Sequence, residues 1–299
     1  MQKEIIGHKK IIDYFKLIYK DGKLASSYLF IGKEGIGKRK VARFIATLVN
    51  CRSSSPPCFK CSDCLSISKA KAPDVIELSP VNSLGIDEIR DLQRKIYLKN
   101  FSLTYKVVII DKAEKLTSSA SDAFLKVLEE PPPNTLMILI TSQPQIISST
   151  IKSRVQKIYF RLSFDEIRNF LDARTSKNQS SILWSIFEGS LSLVKNRELF
   201  LKRERLLESP FYNFRENERT SLKDSTFLLI YFLRDSLFFR AGYPDKIINS
   251  DLQTKIKEYA GRFSLRELLA KIKELLMVYQ SLDNININLA NNLIRTILS

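Results

Sequence analysis

The sequence predicts an α/β fold, in which a doubly wound parallel sheet in the first half of the chain is followed by helices alone. Short β-type runs alternate with amphipathic helical patterns up to about residue 162, as in strand–helix–strand units. Several of these runs are apolar almost throughout, as expected for parallel strands that are covered on both faces. After residue 162 the strand patterns stop and the apolar residues recur at helical spacing.

The individual elements follow from the same patterns, taken in order along the chain. The predicted strands are residues 28–31, 75–78, 107–110, 136–141 and 157–160. The predicted helices between them are residues 9–19, 38–49, 87–98 and 119–128. A further helix is expected to begin at Ser163, whose hydroxyl precedes carboxylates that complement the helix dipole. From Ser221 onward the periodicity is again helical.

The composition is that of an ordinary globular protein with room for two or three domains. The 299 residues are 44% hydrophobic and 27% charged. The formal charge of +16 favours a polyanionic partner, whether nucleic acid or an acidic protein face, and a solvated basic surface is the alternative. The most apolar window, residues 227–239, is too short for a membrane span and contains Arg234 and Asp235. We therefore expect a cytoplasmic protein.

A phosphate-binding loop is predicted directly after the first strand. Gly32, Gly35, Gly37 and Lys38 form the pattern Gly-x-x-x-x-Gly-Lys in its strand–loop–helix context. The glycines let backbone N–H groups turn toward phosphate oxygens, and the lysine can reach the terminal phosphates. A glycine-rich turn without a ligand is the alternative.

Two positions argue against ATP hydrolysis at this loop. Hydrolysis of bound ATP needs Mg²⁺, which is usually held by a Ser or Thr directly after the lysine, and Arg39 stands there instead. The third strand ends in Asp111, which suits the carboxylate of a nucleotide-binding strand, but Lys112 follows it and cannot accept a proton. Glu114 lies two positions further on and is expected to point differently. The sequence favours nucleotide binding without turnover.

The four cysteines, Cys51, Cys58, Cys61 and Cys64, all lie in one short segment. In a cytoplasmic chain this clustering argues for a metal rather than for disulfides. Four thiolates within fourteen residues suit a closed tetrahedral zinc site without an open position for water. Iron–sulfur ligation and redox-active thiols are the alternatives. We expect structural zinc that stabilises the loop or docks a partner.

An ordered series of segments carries a family resemblance along almost the whole chain. The segments are SYLF at 27–30, the four cysteines, FLKVLEEPP at 124–132, TIKSR at 150–154, RDSL at 234–237 and NININL at 284–289. In this order they resemble the delta prime family of bacterial DNA polymerase III subunits, within the clamp-loader branch of the AAA+ proteins.

The resemblance implies a domain plan and an assembly. The plan is an AAA+ P-loop α/β domain at residues 1–162 with a zinc module at 51–64, a helical lid domain at 163–207 and an all-α collar domain at 208–299. The assembly is a hetero-pentameric clamp loader, with motor ATPase subunits and a clamp-opening subunit, which places the sliding clamp on primer–template DNA. The delta prime member commonly has degenerate nucleotide motifs, which fits Arg39 and Lys112.

The resemblance also implies roles for single residues. The family's Ser-Arg-Cys motif maps onto Ser153, Arg154 and Val155, with the cysteine replaced, so that Arg154 would be an arginine finger for a neighbour's ATP site. Thr141 and Ser142 occupy the place of a γ-phosphate sensor. The alternatives are a structural ion pair for the arginine and a turn cap for the hydroxyls.

Three functions remain open at this point. The first is a delta prime-like, non-catalytic subunit of the DNA polymerase III holoenzyme without ATP hydrolysis of its own. The second is an active motor subunit of the same loader, in which a residue such as Glu114 compensates for the altered positions. The third is a zinc-dependent nucleic-acid-binding protein that shares the fold. ATP turnover and DNA binding by the isolated chain distinguish them.

Overall fold

The computed structural model describes residues 5–163, 166, 202–203, 205–207, 211 and 214–299. These residues fall into two compact units, one formed by the described residues up to 166 and one by those from 202 onward. The first unit contains two clusters of buried apolar side chains and the second contains one. Within the described part of the chain, no helix is long and apolar enough to cross a membrane.

The first unit is built on a parallel sheet of five strands. They are β1 (Ser27–Ile31), β2 (Val75–Leu78), β3 (Lys106–Ile110), β4 (Thr135–Thr141) and β5 (Gln156–Tyr159). The strand order is β2-β3-β4-β1-β5, with Leu29 beside Leu139 and Val108 beside Met137. Because neighbouring strands run parallel, the loops that follow β1, β3 and β4 meet at one edge of the sheet. This edge holds the predicted phosphate loop.

Helices pack on both faces of this sheet. They are α1 (Lys9–Lys20), α2 (Lys38–Asn50), α3 (Ser62–Ser68), α4 (Ile86–Tyr97), α5 (Ser118–Glu129) and α6 (Ser149–Lys152). Phe30 belongs to one core cluster and its neighbour Leu29 to the other, because successive strand residues point to opposite faces. The predicted strands and longer helices are confirmed, with every bound within one residue. The short helices α3 and α6 were not predicted.

Two buried charged residues fix the loop after α4. The carboxylate of Asp74 accepts the backbone N–H groups of residues 101–103 at 2.8, 2.8 and 2.9 Å. The ammonium of Lys106 donates to the carbonyl oxygens of Lys95, at 2.8 Å, and Leu98 at the end of the helix. Each charge is therefore satisfied by backbone groups that would otherwise have no partner.

The second unit contains α7 (Arg219–Arg240), α8 (Gln253–Arg262), α9 (Leu265–Ser281) and α10 (Ile287–Leu298). Helix α7 packs against the other three around a core that includes Phe232, Leu268, Leu275 and Ile294. The predicted C-terminal helical region is confirmed. The predicted lid domain, residues 163–207, lies almost entirely outside the described residues, so the boundaries at 162 and 207 stay predictions.

Candidate functional site

The predicted phosphate loop connects β1 to α2. Gly35 and Gly37 have φ angles of 75° and 106°, which residues with a Cβ rarely adopt. Gly32 is constrained differently, because a Cβ there would lie 2.7 Å from the carbonyl oxygen of Phe160. The N–H of Gly32 donates to the carbonyl of Thr141, at the end of β4, over 3.2 Å. The glycines that predicted the loop are thus the residues that its backbone requires.

Lys38 begins α2, and its side chain turns back onto the loop. The ammonium donates to the carbonyl oxygens of Gly32 and Lys33, the latter at 2.7 Å. Burial lowers the pKa of Lys38 to about 8, although the nearby carboxylates of Asp111 and Glu114 act in the opposite direction. The lysine is therefore mostly protonated at neutral pH and lies within the loop.

Arg39 belongs to a cluster of charges beside Asp111. Its Nε and Nη2 donate to Oε2 of Glu77 at 3.0 and 2.8 Å, and Arg43 binds both oxygens of the same carboxylate at 2.6 and 2.8 Å. The third nitrogen of Arg39, Nη1, lies 3.9 Å from Oδ2 of Asp111. Burial alone would raise the pKa of Glu77, but the hydrogen bonds from Arg43 and Arg39 outweigh it and hold the pKa below its ordinary value.

Magnesium does not fit this arrangement. Mg²⁺ requires oxygen ligands in octahedral geometry at about 2.0–2.1 Å, whereas Arg39 offers a guanidinium without an acceptor atom. A cation bound to Asp111 would also be close to the arginine, and the two positive charges would repel. Glu77, which holds the arginine here, is a residue that its sequence pattern did not single out. Its one signal was a carboxylate within a short, otherwise apolar strand.

Lys112 places a second cation at this edge of the sheet. Its φ is 54°, and its ammonium lies 3.2 Å from the carboxylate of Glu34 in the phosphate loop. Glu114, which follows on a short turn, accepts a hydrogen bond from the hydroxyl of Ser142 at 3.1 Å. Its second oxygen is buried without a hydrogen-bond partner among the described residues, and its charge raises the pKa of Lys38. A carboxylate therefore does lie near the loop.

Two further side chains support the loop and the strand beside it. The hydroxyl of Thr141 accepts the N–H of Gln143 at 3.0 Å, so that it caps the turn after β4. His8, the single histidine of the chain, is buried with its Nε2 2.8 Å from the carbonyl oxygen of Ile36. Burial lowers the pKa of His8, so a neutral ring donates this hydrogen bond. Nothing in the sequence pattern indicated this role.

Arg154 lies at the amino-terminal end of the parallel strands, whereas the phosphate loop follows the carboxyl end of β1. It precedes β5, and its backbone carbonyl accepts a hydrogen bond from Ser27 at the start of β1. The five residues of β1 separate the two edges by about 16 Å, at roughly 3.3 Å per residue. The guanidinium is 2.7 Å from Oε1 of Glu129 and donates to the carbonyl of Thr150 at 3.0 Å. The ion pair named as the alternative is thus present, and the arginine is too far away to act at its own loop.

The four cysteines converge although no disulfide joins them. Their sulfur atoms all lie within 4.8 Å of one another, and those of Cys58 and Cys64 are 3.9 Å apart. Tetrahedral zinc with Zn–S bonds of about 2.3 Å separates its sulfurs by about 3.8 Å, so the spacing suits a metal ion. Backbone N–H groups of Lys60 and Cys61 lower the pKa of Cys58 to about 6. Cys51, Cys58, Cys61 and Cys64 can together hold a metal ion.

Two family models match successive parts of the chain. The model described as DNA polymerase III, delta subunit, matches residues 7–163. The model described as DNA polymerase III, delta subunit, C terminal, matches residues 196–295.

Sequence relatives and one solved structure that resemble this chain also carry the names of DNA polymerase III subunits. The DNA polymerase III subunit tau of Bacillus subtilis is 34% identical over 64% of this chain and 34% of that protein. The subunit delta prime of the same organism is 28% identical over 91% of each. The chain spans about a third to a half of the tau and gamma relatives that it matches. A gamma subunit-related protein of Thermotoga maritima has a TM-score of 0.54 at 20% identity, covering 96% of this chain and 98% of that one, which concerns the fold alone.

Proposed function

The chain belongs to the family described as DNA polymerase III, delta subunit, and from this premise we propose that it is a delta prime-like clamp-loader subunit that does not hydrolyse ATP. The relatives that it matches carry the names of the subunits tau, gamma and delta prime. The match to delta prime covers 91% of each chain. Arg39 and Lys112, at the positions expected for a magnesium ligand and a base, support a subunit of this non-hydrolysing type. The chain would then take part in DNA replication as a non-catalytic subunit of the holoenzyme.

The observation that carries the proposal is the guanidinium of Arg39, 3.9 Å from Asp111. Hydrolysis of ATP requires a divalent cation and a group that orients or deprotonates the attacking water. Arg39 stands where the cation would need oxygen ligands, and Lys112, paired with Glu34, stands where the base would be. Both substitutions oppose the same reaction, so phosphate could be held here but not cleaved.

Nucleotide binding would rest on the parts of the loop that remain. The strand–loop–helix backbone with Gly35 and Gly37 turns N–H groups toward a phosphate, and Lys38 lies within the loop. An incoming phosphate would take the ammonium from neutral carbonyl oxygens, because a charged acceptor forms the stronger hydrogen bond. Thr141, whose hydroxyl caps a turn, would have only a minor part in sensing it. We propose ATP as a ligand that stays intact.

The chain would assist ATP hydrolysis only in a neighbouring subunit, through Arg154. Arg154 is about 16 Å from its own phosphate loop along β1, so that any nucleotide it contacts belongs to another subunit. Its side chain is 36% exposed at the edge of the sheet. Val155, which replaces the family's cysteine, is buried in the core and anchors the segment. We propose Arg154 as the arginine finger of a neighbouring motor ATPase subunit, where such a residue is worth about 10³–10⁵ in rate.

The cysteine cluster is proposed to hold a structural zinc ion. All four ligands are sulfur, which suits a closed tetrahedral site rather than a catalytic one. The residues between Cys51 and Cys64 contribute few core side chains of their own. The metal would therefore stabilise this module and any surface that it presents to a partner.

The second unit offers a surface for assembly into a ring. Leu268 and Leu275 of α9 are buried in its core, whereas the adjacent Leu269 and Leu276 are 46% and 40% exposed. Further exposed apolar side chains of α9 and α10 are Met277, Leu289 and Leu293. A helix with a second apolar face is typical of a subunit contact. The proposed partners are motor ATPase subunits and a clamp-opening subunit in a cytoplasmic hetero-pentamer, and through it the sliding clamp and primer–template DNA.

Steady-state ATP turnover by the purified chain tests the proposal. We expect no turnover above that of Lys38→Ala. Turnover that Lys38→Ala abolishes would contradict the proposal and favour the motor subunit, for which Glu114, with one carboxylate oxygen buried, is the candidate base. The isolated chain should also bind DNA only weakly, since tight binding with a steep salt dependence would favour the zinc-dependent nucleic-acid binder.

A further inference from the structure

We propose that Glu129 is a positioning residue for the arginine finger, and that its carboxylate orients the guanidinium of Arg154 for the nucleotide of a neighbouring subunit. The inference rests on the proposed finger role of Arg154. It adds to the finger a second side chain of opposite charge, which comes from a different helix.

The two residues belong to elements that end at the same edge of the sheet. Helix α5 ends at Glu129, and the prolines at 131–133 cannot continue it. Because this helix runs back against the parallel strands, its C-terminal end lies at the edge where Arg154 precedes β5. Helices α5 and α6 pack against each other, and Oε1 of Glu129 is 2.7 Å from Nη2 of Arg154.

Contacts at two nitrogens determine the plane of the guanidinium. Glu129 holds Nη2, while Nη1 donates to the carbonyl of Thr150 at 3.0 Å and to the hydroxyl of Ser153 at 3.2 Å. The guanidinium is rigid and planar, so fixing two nitrogens also directs its other N–H donors. Without the carboxylate, the contacts of Nη1 alone would leave the group free to rotate about them.

The carboxylate affects the finger through its orientation and through its charge, with opposite signs. A negative charge beside the guanidinium reduces its attraction for phosphate, but the side chains of Arg154 and Glu129 are 36% and 49% exposed, and solvent screens such pairs. Orientation is not screened, because a side chain that is already ordered loses less freedom when it meets the phosphate. We therefore expect turnover to fall when Glu129 loses its charge.

The test uses Glu129→Gln in the loader assembled with its motor subunits. The part of the DNA-stimulated ATP turnover that depends on Arg154 should fall about 2- to 10-fold in kcat, the range for ordering one flexible side chain anew. The KM for ATP should not change, because the finger acts in the transition state. Glu130→Gln makes the same change at the next, exposed position and should leave turnover unchanged. The melting temperature of the chain should be the same in both variants.

A double variant distinguishes positioning from an independent structural role. Combining Glu129→Gln with Arg154→Ala should be no slower than Arg154→Ala alone, because Glu129 acts only through the arginine. Additive losses would overturn the positioning role, and so would unchanged or faster turnover of Glu129→Gln. If Arg154→Ala itself leaves turnover intact, the finger role fails and the positioning role with it, while membership of the family stands.

Discussion

The charge cluster beside Asp111 depends on the carboxylate of Glu77, and we expect Glu77→Gln to destabilise the first unit by about 2 kcal/mol. The carboxylate accepts four N–H donors, two from Arg39 and two from Arg43. Glutamine keeps the shape of the side chain but removes its charge and one of its two acceptor oxygens. The change therefore isolates the electrostatic role of the residue.

The magnitude follows from these four contacts. In the better of its two orientations, the amide of glutamine keeps the three contacts at the position of Oε2 and loses the contact of 2.6 Å from Arg43. Losing a hydrogen bond to a charged group costs about 1.5–3 kcal/mol. Solvent replaces part of the interaction, because Arg39 and Arg43 are 41% and 35% exposed. A loss of about 2 kcal/mol lowers the melting temperature of a unit of this size by about 4–8 °C.

Thermal melting followed by circular dichroism measures the effect, with the exposed Glu130→Gln as the control. The pKa of Glu77 is held below its ordinary value of 4.5. Its charge therefore contributes stability above that value, and the contribution is lost as the pH falls through the lowered pKa of the folded state. The variant and the wild type should therefore converge only when the pH is below this lowered pKa, where Glu77 is protonated in the folded state as well. If Glu77→Gln and the wild type melt at the same temperature at pH 7, the carboxylate does not stabilise the unit in this way.

Three further predictions concern the metal, the loop after α4 and the second unit. Replacing Cys58 and Cys61 with serine should release zinc and lower the melting temperature, and a metal-free wild type of equal stability would contradict the zinc assignment. Asp74→Asn should lower the free energy of unfolding, measured by chemical denaturation, by about 3 kcal/mol. The carboxylate accepts three N–H groups through two oxygens, whereas an amide has only one oxygen. A cost as small as that of the exposed Asp122→Asn, below about 0.5 kcal/mol, would argue against this. Leu276→Glu should prevent assembly of the loader in size-exclusion chromatography without lowering stability, and normal assembly would exclude this face.

Most of the sheet and the outline of the site could be predicted from the sequence because their signals are local. An apolar run such as 107–110 indicates a strand covered on both faces without knowledge of its neighbours. Gly35 and Gly37 indicate a turn that other residues adopt only with strain. Arg39 and Lys112 can be identified because each directly follows a motif residue, Lys38 or Asp111, in the sequence.

The partners of these residues could not be predicted, since they depend on which elements become neighbours. Glu77 is 38 residues from Arg39, and Glu129 is 25 residues from Arg154. Each contact exists because strand order and helix packing bring two side chains together, which no local spacing records. His8 likewise supports the phosphate loop from the start of a different helix.

The residue types and their spacing identify the chemistry available at the candidate site: a phosphate loop, the cations Arg39 and Lys112 beside it, four thiols and an arginine near β5. Where each of these groups lies depends on how the chain folds. The tertiary structure holds Arg39 against Glu77 beside Asp111, and it places Arg154 at the opposite edge of the sheet from the loop. The physical reason is that residue type sets charge and hydrogen-bonding capacity, whereas orientation and distance arise only when parallel strands fix which ends of the elements meet.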